Sequence, residues 1–163
     1  MADHQAGGVL LFEHLARHRV GLAVVDQLLD AHRATLGGKP VKRVICTHMH
    51  PDHIGLADWI CQRFNAPLLM SGLDYHVARL ACQDQTSFGG DGAALFFYQH
   101  GIVSAQDTEK IKARVHYYSS LVPSVPKQYQ RLLDGQKISI GLGTEQSPTR
   151  SWKLISGFGH APE

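Results

Sequence analysis

Residues Val41 to Ser71 read VKRVICTHMHPDHIGLADWICQRFNAPLLMS, and this stretch decides the fold. Its opening, Val41 to Thr47 (VKRVICT), is rich in β-branched residues and predicts a strand. That strand runs straight into His48-Met49-His50-Pro51-Asp52-His53, three histidines and one aspartate within six residues. Leu56, Trp59, Ile60 and Phe64 then recur at helical spacing, predicting a helix from about Gly55 to Asn65, and Pro67 to Met70 (PLLM) predicts another strand. Upstream, Gly21 to Asp26 (GLAVVD) reads as a buried strand, a short apolar run bounded by Gly and Asp. Leu28, Leu29, His32 and Leu36 predict a helix that Gly37-Gly38-Lys39-Pro40 stops. Strand, helix, strand, helix, strand at these lengths implies an α/β fold with neighbouring strands joined by crossovers.

The histidine cluster is not a product of composition. With 11 His and 10 Asp among 163 residues, the pattern HxHxDH is expected by chance about 0.003 times in the chain, so a chemical reason is required. In an extended segment side chains alternate, so His48 and His50 point the same way and can bind one ion together. Pro51 bends the path and presents Asp52 and His53 towards a second position nearby. Imidazole with carboxylate suits zinc, and also iron or manganese. The alternative is a polar loop in which Asp52 caps the following helix.

Beyond Ser71 the pattern is helical from Leu73 to about Tyr118, interrupted by Ser87-Phe88-Gly89-Gly90-Asp91-Gly92. Strands resume at Lys137 to Gly141 and Trp152 to Ser156, followed by Gly157-Phe158-Gly159-His160-Ala161-Pro162-Glu163. Residues 1–19 fit a strand or a short helix equally. Phe96-Phe97-Tyr98 with Tyr117-Tyr118 suggest either core packing or a pocket lining. Cys46, ahead of the metal loop, reads as a buried small hydrophobe.

Composition excludes several classes. The chain has 44% hydrophobic and 18% charged residues, enough for one packed domain. A net charge of +2 without like-charge blocks gives no expectation of nucleic-acid binding. No apolar run approaches the ~20 residues of a membrane span. An N-terminus carrying Asp3 and His4 does not resemble a signal peptide, and three cysteines without a CxxC pair argue against a disulfide framework. The expectation is a cytoplasmic protein with a small-molecule substrate, without membrane contact, and with homo-oligomerisation as an open possibility.

At these residues the sequence resembles the metallo-beta-lactamase superfamily, whose HxHxDH loop follows a buried strand. Val41 to Ser71 reads like the family's strand, metal loop, helix and strand in unbroken order. Gly159-His160-Ala161-Pro162-Glu163 is similar to the family's GHxPxH segment, whose first histidine is a metal ligand. The resemblance therefore implies His160 beside His48 and His50 on a first metal, and Asp52 with His53 on a second. Val24-Val25-Asp26 resembles a supporting strand that ends in Asp-Thr-Gly, with Gln27 and Leu28 in place of Thr-Gly.

The implied fold is a partial αββα sandwich. It forms a single domain over residues 1–163, with a helical insert at about 73–122, and is incomplete at the C-terminus, before the family's bridging aspartate and last histidine. The implied activity is that of a metallo-hydrolase, glyoxalase II-like, in which one or two zinc ions activate water and Asp52 is catalytic. A thioester or ester is the preferred substrate. The rival expectation is a non-catalytic relative that binds metal without completing a dinuclear centre.

Overall fold

The computed structural model describes residues 22–83, 89–141, 143–145 and 147–163. Residues 1–19, with their undecided strand or helix, lie outside this range.

The parallel sheet is where the reading of Val41 to Ser71 materialises. Strand β1 (Val44–Ile45) pairs parallel with β2 (Leu68–Ser71), Val44 opposite Leu68 and Ile45 opposite Leu69. Helices α2 (Pro51–Ile54) and α3 (Ala57–Phe64) make the crossover. The helix predicted from about Gly55 to Asn65 is α3, and the single turn of α2 precedes it, with Pro51 in the first helical position, where its missing N–H costs nothing. Asn65 ends α3 in the left-handed region (φ 49°), with Ala66 N–H returning to the Cys61 carbonyl at 3.0 Å. A third strand, β3 (Gln130–Leu132), pairs parallel with the far side of β2, giving the order β1-β2-β3.

Of the run read as a strand at 21–26, the described residues are helical. Residues from Leu22 onward belong to helix α1 (Leu22–Leu36), continuous with the predicted Leu28-to-Leu36 helix. A short apolar run has the same composition in a buried strand and in a helix, and the helical spacing downstream wins. Gly37 (φ 58°) and Gly38 (φ 70°) terminate α1 as expected.

The predicted helical region holds α4 (Gly72–Ala81), α5 (Gly90–Gln99), α6 (Ala105–Lys112), a 3₁₀ turn (Ala113–His116) and α7 (Tyr117–Leu121). Gly90 to Gly92, read as loop, form the first turn of α5 instead. Two bonds strap the chain back across α4, from Tyr75 Oη to the Pro126 carbonyl (2.8 Å) and from Arg79 Nη1 to the Val125 carbonyl (3.0 Å). This delivers β3 to β2. The core gathers Val44, Ile54, Ile60, Leu68, Met70 and Val122 between the sheet and these helices.

Strands β4 (Lys137–Ile140) and β5 (Arg150–Lys153) form a separate antiparallel pair close to their expected positions. Asp134 Oδ1 then accepts the Ser156 N–H at 2.9 Å, aiming residues 157–163 back towards the parallel sheet. Among the described residues no helix is long and apolar enough to cross a membrane.

Candidate metal centre

Side chains for chemistry collect just past the carboxyl end of β1, where open parallel sheets present their loops. Cys46 N–H still bonds to the Leu69 carbonyl at 3.0 Å, so the strand geometry persists up to the histidines. His48 and His50 then alternate around Met49, which is turned into the core. His50 occupies the N-cap of α2 in extended conformation (φ −61°, ψ 146°), and its side chain makes no cap bond. The imidazole is free to turn elsewhere.

It turns towards the other two histidines. His50 Nδ1 lies 3.0 Å from His48 Nε2 and 3.2 Å from His160 Nε2. The three ligand atoms all fall within 4.8 Å of one another. One imidazole nitrogen carries either one proton or one lone pair, so His50 Nδ1 can make only one of these two contacts as a well-directed hydrogen bond. A cation resolves this. Two nitrogens ~2.0–2.1 Å from a tetrahedral zinc are about 3.3 Å apart, close to both separations. The donor set therefore fits a metal through Nε2, Nδ1 and Nε2 of His48, His50 and His160.

Burial, reinforced by the surrounding imidazoles, holds both His48 and His50 below the ordinary imidazole range; for His48 these are His53, His50 and His160, and for His50 chiefly His160. Neutral rings with available lone pairs are what a metal requires.

Thr47 supplies the next layer. Its Oγ1 is 3.0 Å from His48 Nδ1 and 3.1 Å from His53 Nδ1. With Nε2 of His48 kept for a metal, Nδ1 donates to Thr47, and the Thr47 hydroxyl donates onward to His53 Nδ1. His53 Nε2 then faces Asp52 Oδ2 at 3.6 Å. The sequence-predicted pair Asp52 and His53 is thus adjacent to the three-histidine group without belonging to it.

Sequence reasoning missed Asp74. It is fully buried on the first turn of α4, and its Oδ1 accepts the Met49 N–H at 2.9 Å. Its Oδ2 accepts from Ser71 Oγ (2.9 Å) and from the Glu163 N–H (3.1 Å). Ser71-Gly-Leu-Asp74 matches a capping-box pattern, a signal that announces a helix start and no more. The aromatic segment, by contrast, lies outside the cavity beside these histidines. Phe96, Phe97, Tyr98 and Tyr117 are exposed, whereas Tyr118 is buried and bonds to the Met49 carbonyl at 2.5 Å.

A cavity of about 300 Å³ opens beside His48 and His160, walled by Ile45, Leu132, Leu154 and Ile155 with Asp134 and Glu163.

The profile of the metallo-beta-lactamase superfamily matches residues 15–160. A crystal structure of a beta-lactamase domain protein from Burkholderia ambifaria is similar at 32% identity and a TM-score of 0.68. The match covers 88% of this chain and 38% of that one, so the present chain spans well under half the length of that relative. No curated protein matches. With the family's profile running from before the parallel sheet to His160 itself, the chain belongs to the metallo-beta-lactamase superfamily.

Proposed function

We propose that this chain is a metal-dependent hydrolase of esters or thioesters, with zinc held by His48, His50 and His160; iron and manganese are the other metals this donor set suits. One observation carries the reading: the 3.0 and 3.2 Å approaches of His48 and His160 to His50 Nδ1, which a shared cation accounts for together. Zinc held there would activate a water for attack at neutral pH and polarise the scissile carbonyl. The Asp52 carboxylate, on the first turn of α2, is the group that orients the attacking water and takes its proton. His53 holds Asp52 in place from its Nε2 side, and Thr47 fixes the tautomers of His48 and His53.

The cavity favours a neutral scissile group. Its apolar walls suit an acyl chain, none of the described residues lining it is a lysine or arginine, and Asp134 and Glu163 repel a phosphodiester.

A second reading is a non-catalytic metal binder. It is favoured by Asp52 and His53 facing one another outside the three-histidine group, which leaves a second metal position unassembled. Zinc content of the dialysed chain, measured beside turnover of a thioester and a phosphodiester, separates these readings. The hydrolase reading expects about one zinc per chain and zinc-dependent thioester cleavage. Bound zinc without turnover supports the non-catalytic reading, and no retained zinc overturns both.

A further inference from the structure

The two peptide units on either side of Met49 are the ones that aim His48 and His50, and both are clamped. The Met49 N–H donates to Asp74 Oδ1 at 2.9 Å, and the Met49 carbonyl accepts from Tyr118 Oη at 2.5 Å. Met49 itself is 2% exposed, so neither bond meets competition from water.

Asp74 does a second thing with the same carboxylate. Its Oδ2 accepts the Glu163 N–H at 3.1 Å, three residues after His160. One rigid group therefore joins the loop that carries His48 and His50 to the loop that carries His160. The anchor is firm: Asp74 is 0% exposed, and Ser71 Oγ both donates to Oδ2 at 2.9 Å and accepts the Asp74 N–H at 3.1 Å. An ordinary capping-box acid would bond back to its own helix start. Here the carboxylate leaves its helix and spans two loops.

We propose that Asp74 is a positioning residue that sets the separation between His160 and the His48–His50 pair, with Tyr118 as its counterpart on the other side of Met49. The proposal rests on the three-histidine metal reading. Loss of either clamp leaves all three ligands in the sequence and lets their nitrogens drift from convergence. Partners of this kind change metal affinity by about 10–100-fold.

The test uses the full chain with zinc or cobalt(II) alone as the probe. Asp74→Asn keeps the size and one acceptor and turns an N–H donor towards Met49 or Glu163. Asp74→Asn is expected to weaken zinc binding by about 10–100-fold in a chelator competition and to alter the cobalt(II) d–d spectrum. Amide hydrogen exchange at Met49 and Glu163 of the metal-free chain should quicken together. Tyr118→Phe, should Asp74→Asn fail to fold, is expected to cost about 10-fold in zinc affinity and to quicken exchange on the Met49 loop alone. A purely structural role would lower the melting temperature and leave the zinc affinity and the cobalt spectrum of the folded molecules unchanged, and that result overturns the proposal. His50→Ala serves as the separate control. If it too binds zinc like wild type, the metal reading itself has failed; if it loses zinc while the clamp variants do not, only the positioning role has.

Discussion

Thr47 Oγ1 stands 3.0 Å from His48 Nδ1, on the side of the ring opposite the nitrogen that faces His50. The ring is thereby held between a hydroxyl and the metal position, and its tautomer follows from the hydroxyl. Thr47→Val keeps the shape and removes the acceptor. The expected result is zinc affinity lowered by about 10-fold with the fold retained, read by competition titration. Unchanged affinity would show that the hydroxyl is idle.

His50→Ala and His100→Ala form a matched contrast. His100 caps the end of α5, its Nδ1 2.7 Å from the Phe96 carbonyl, outside the three-histidine group. Tight zinc binding should vanish in the first variant and persist in the second. Equal affinities in the two variants would refute the site.

Stability should depend on pH through the same histidines. Burial first, then neighbouring imidazoles, lowers the folded-state pKa of His48 and His50 from the ordinary 6.5. Above that value neither state is protonated and the effect is absent. As pH falls through 6.5 the unfolded chain takes up protons that the folded chain refuses, so stability drops until the lowered folded values are reached. Denaturant midpoints of the metal-free chain at a series of pH values should decline below this point. A flat profile would contradict the burial assigned to these rings.

Gly89 and Gly92 make opposite predictions three residues apart. A Cβ at Gly89 would sit 2.5 Å from the backbone carbonyl carbon and oxygen of Arg114, where nothing can yield cheaply. Gly89→Ala should therefore cost about 1–3 kcal/mol. A Cβ at Gly92 meets nothing within 4 Å and lies inside α5, so Gly92→Ala should gain about 0.5–1 kcal/mol. Thermal melts of both variants check the pair, and a neutral Gly89→Ala would mean that α5 does not approach the Arg114 backbone.

Legibility followed locality. His48, His50, Asp52 and His53 announce themselves because ligand chemistry and spacing sit within one loop. Alternation alone placed His48 and His50 on one side, as found. His160 was visible only through family resemblance, since no local pattern ties it to a partner in the loop at 48–53. Asp74 hid for a different reason: its S-x-x-D setting has an ordinary meaning, and only the folded chain shows its carboxylate reaching Met49 and Glu163. Strand β3 escaped because Gln130-Arg131-Leu132 is mostly polar and exposed, held by pairing with β2 and not by burial. The run Leu22 to Val25 reads as a strand because four apolar residues carry no period of their own.

His50 and His160 meet although 110 residues separate them along the chain. An ion grasped by both behaves topologically as a cross-link. It forbids the unfolded chain the many conformations in which those residues are far apart, which for a disulfide spanning ~100 residues is worth on the order of 4–5 kcal/mol. Every insertion or nick between them, including anywhere in helices α3 to α7, is then tolerated differently with and without the ion. A chain cut within that span would be held together more tightly with the metal than after a chelator removes it.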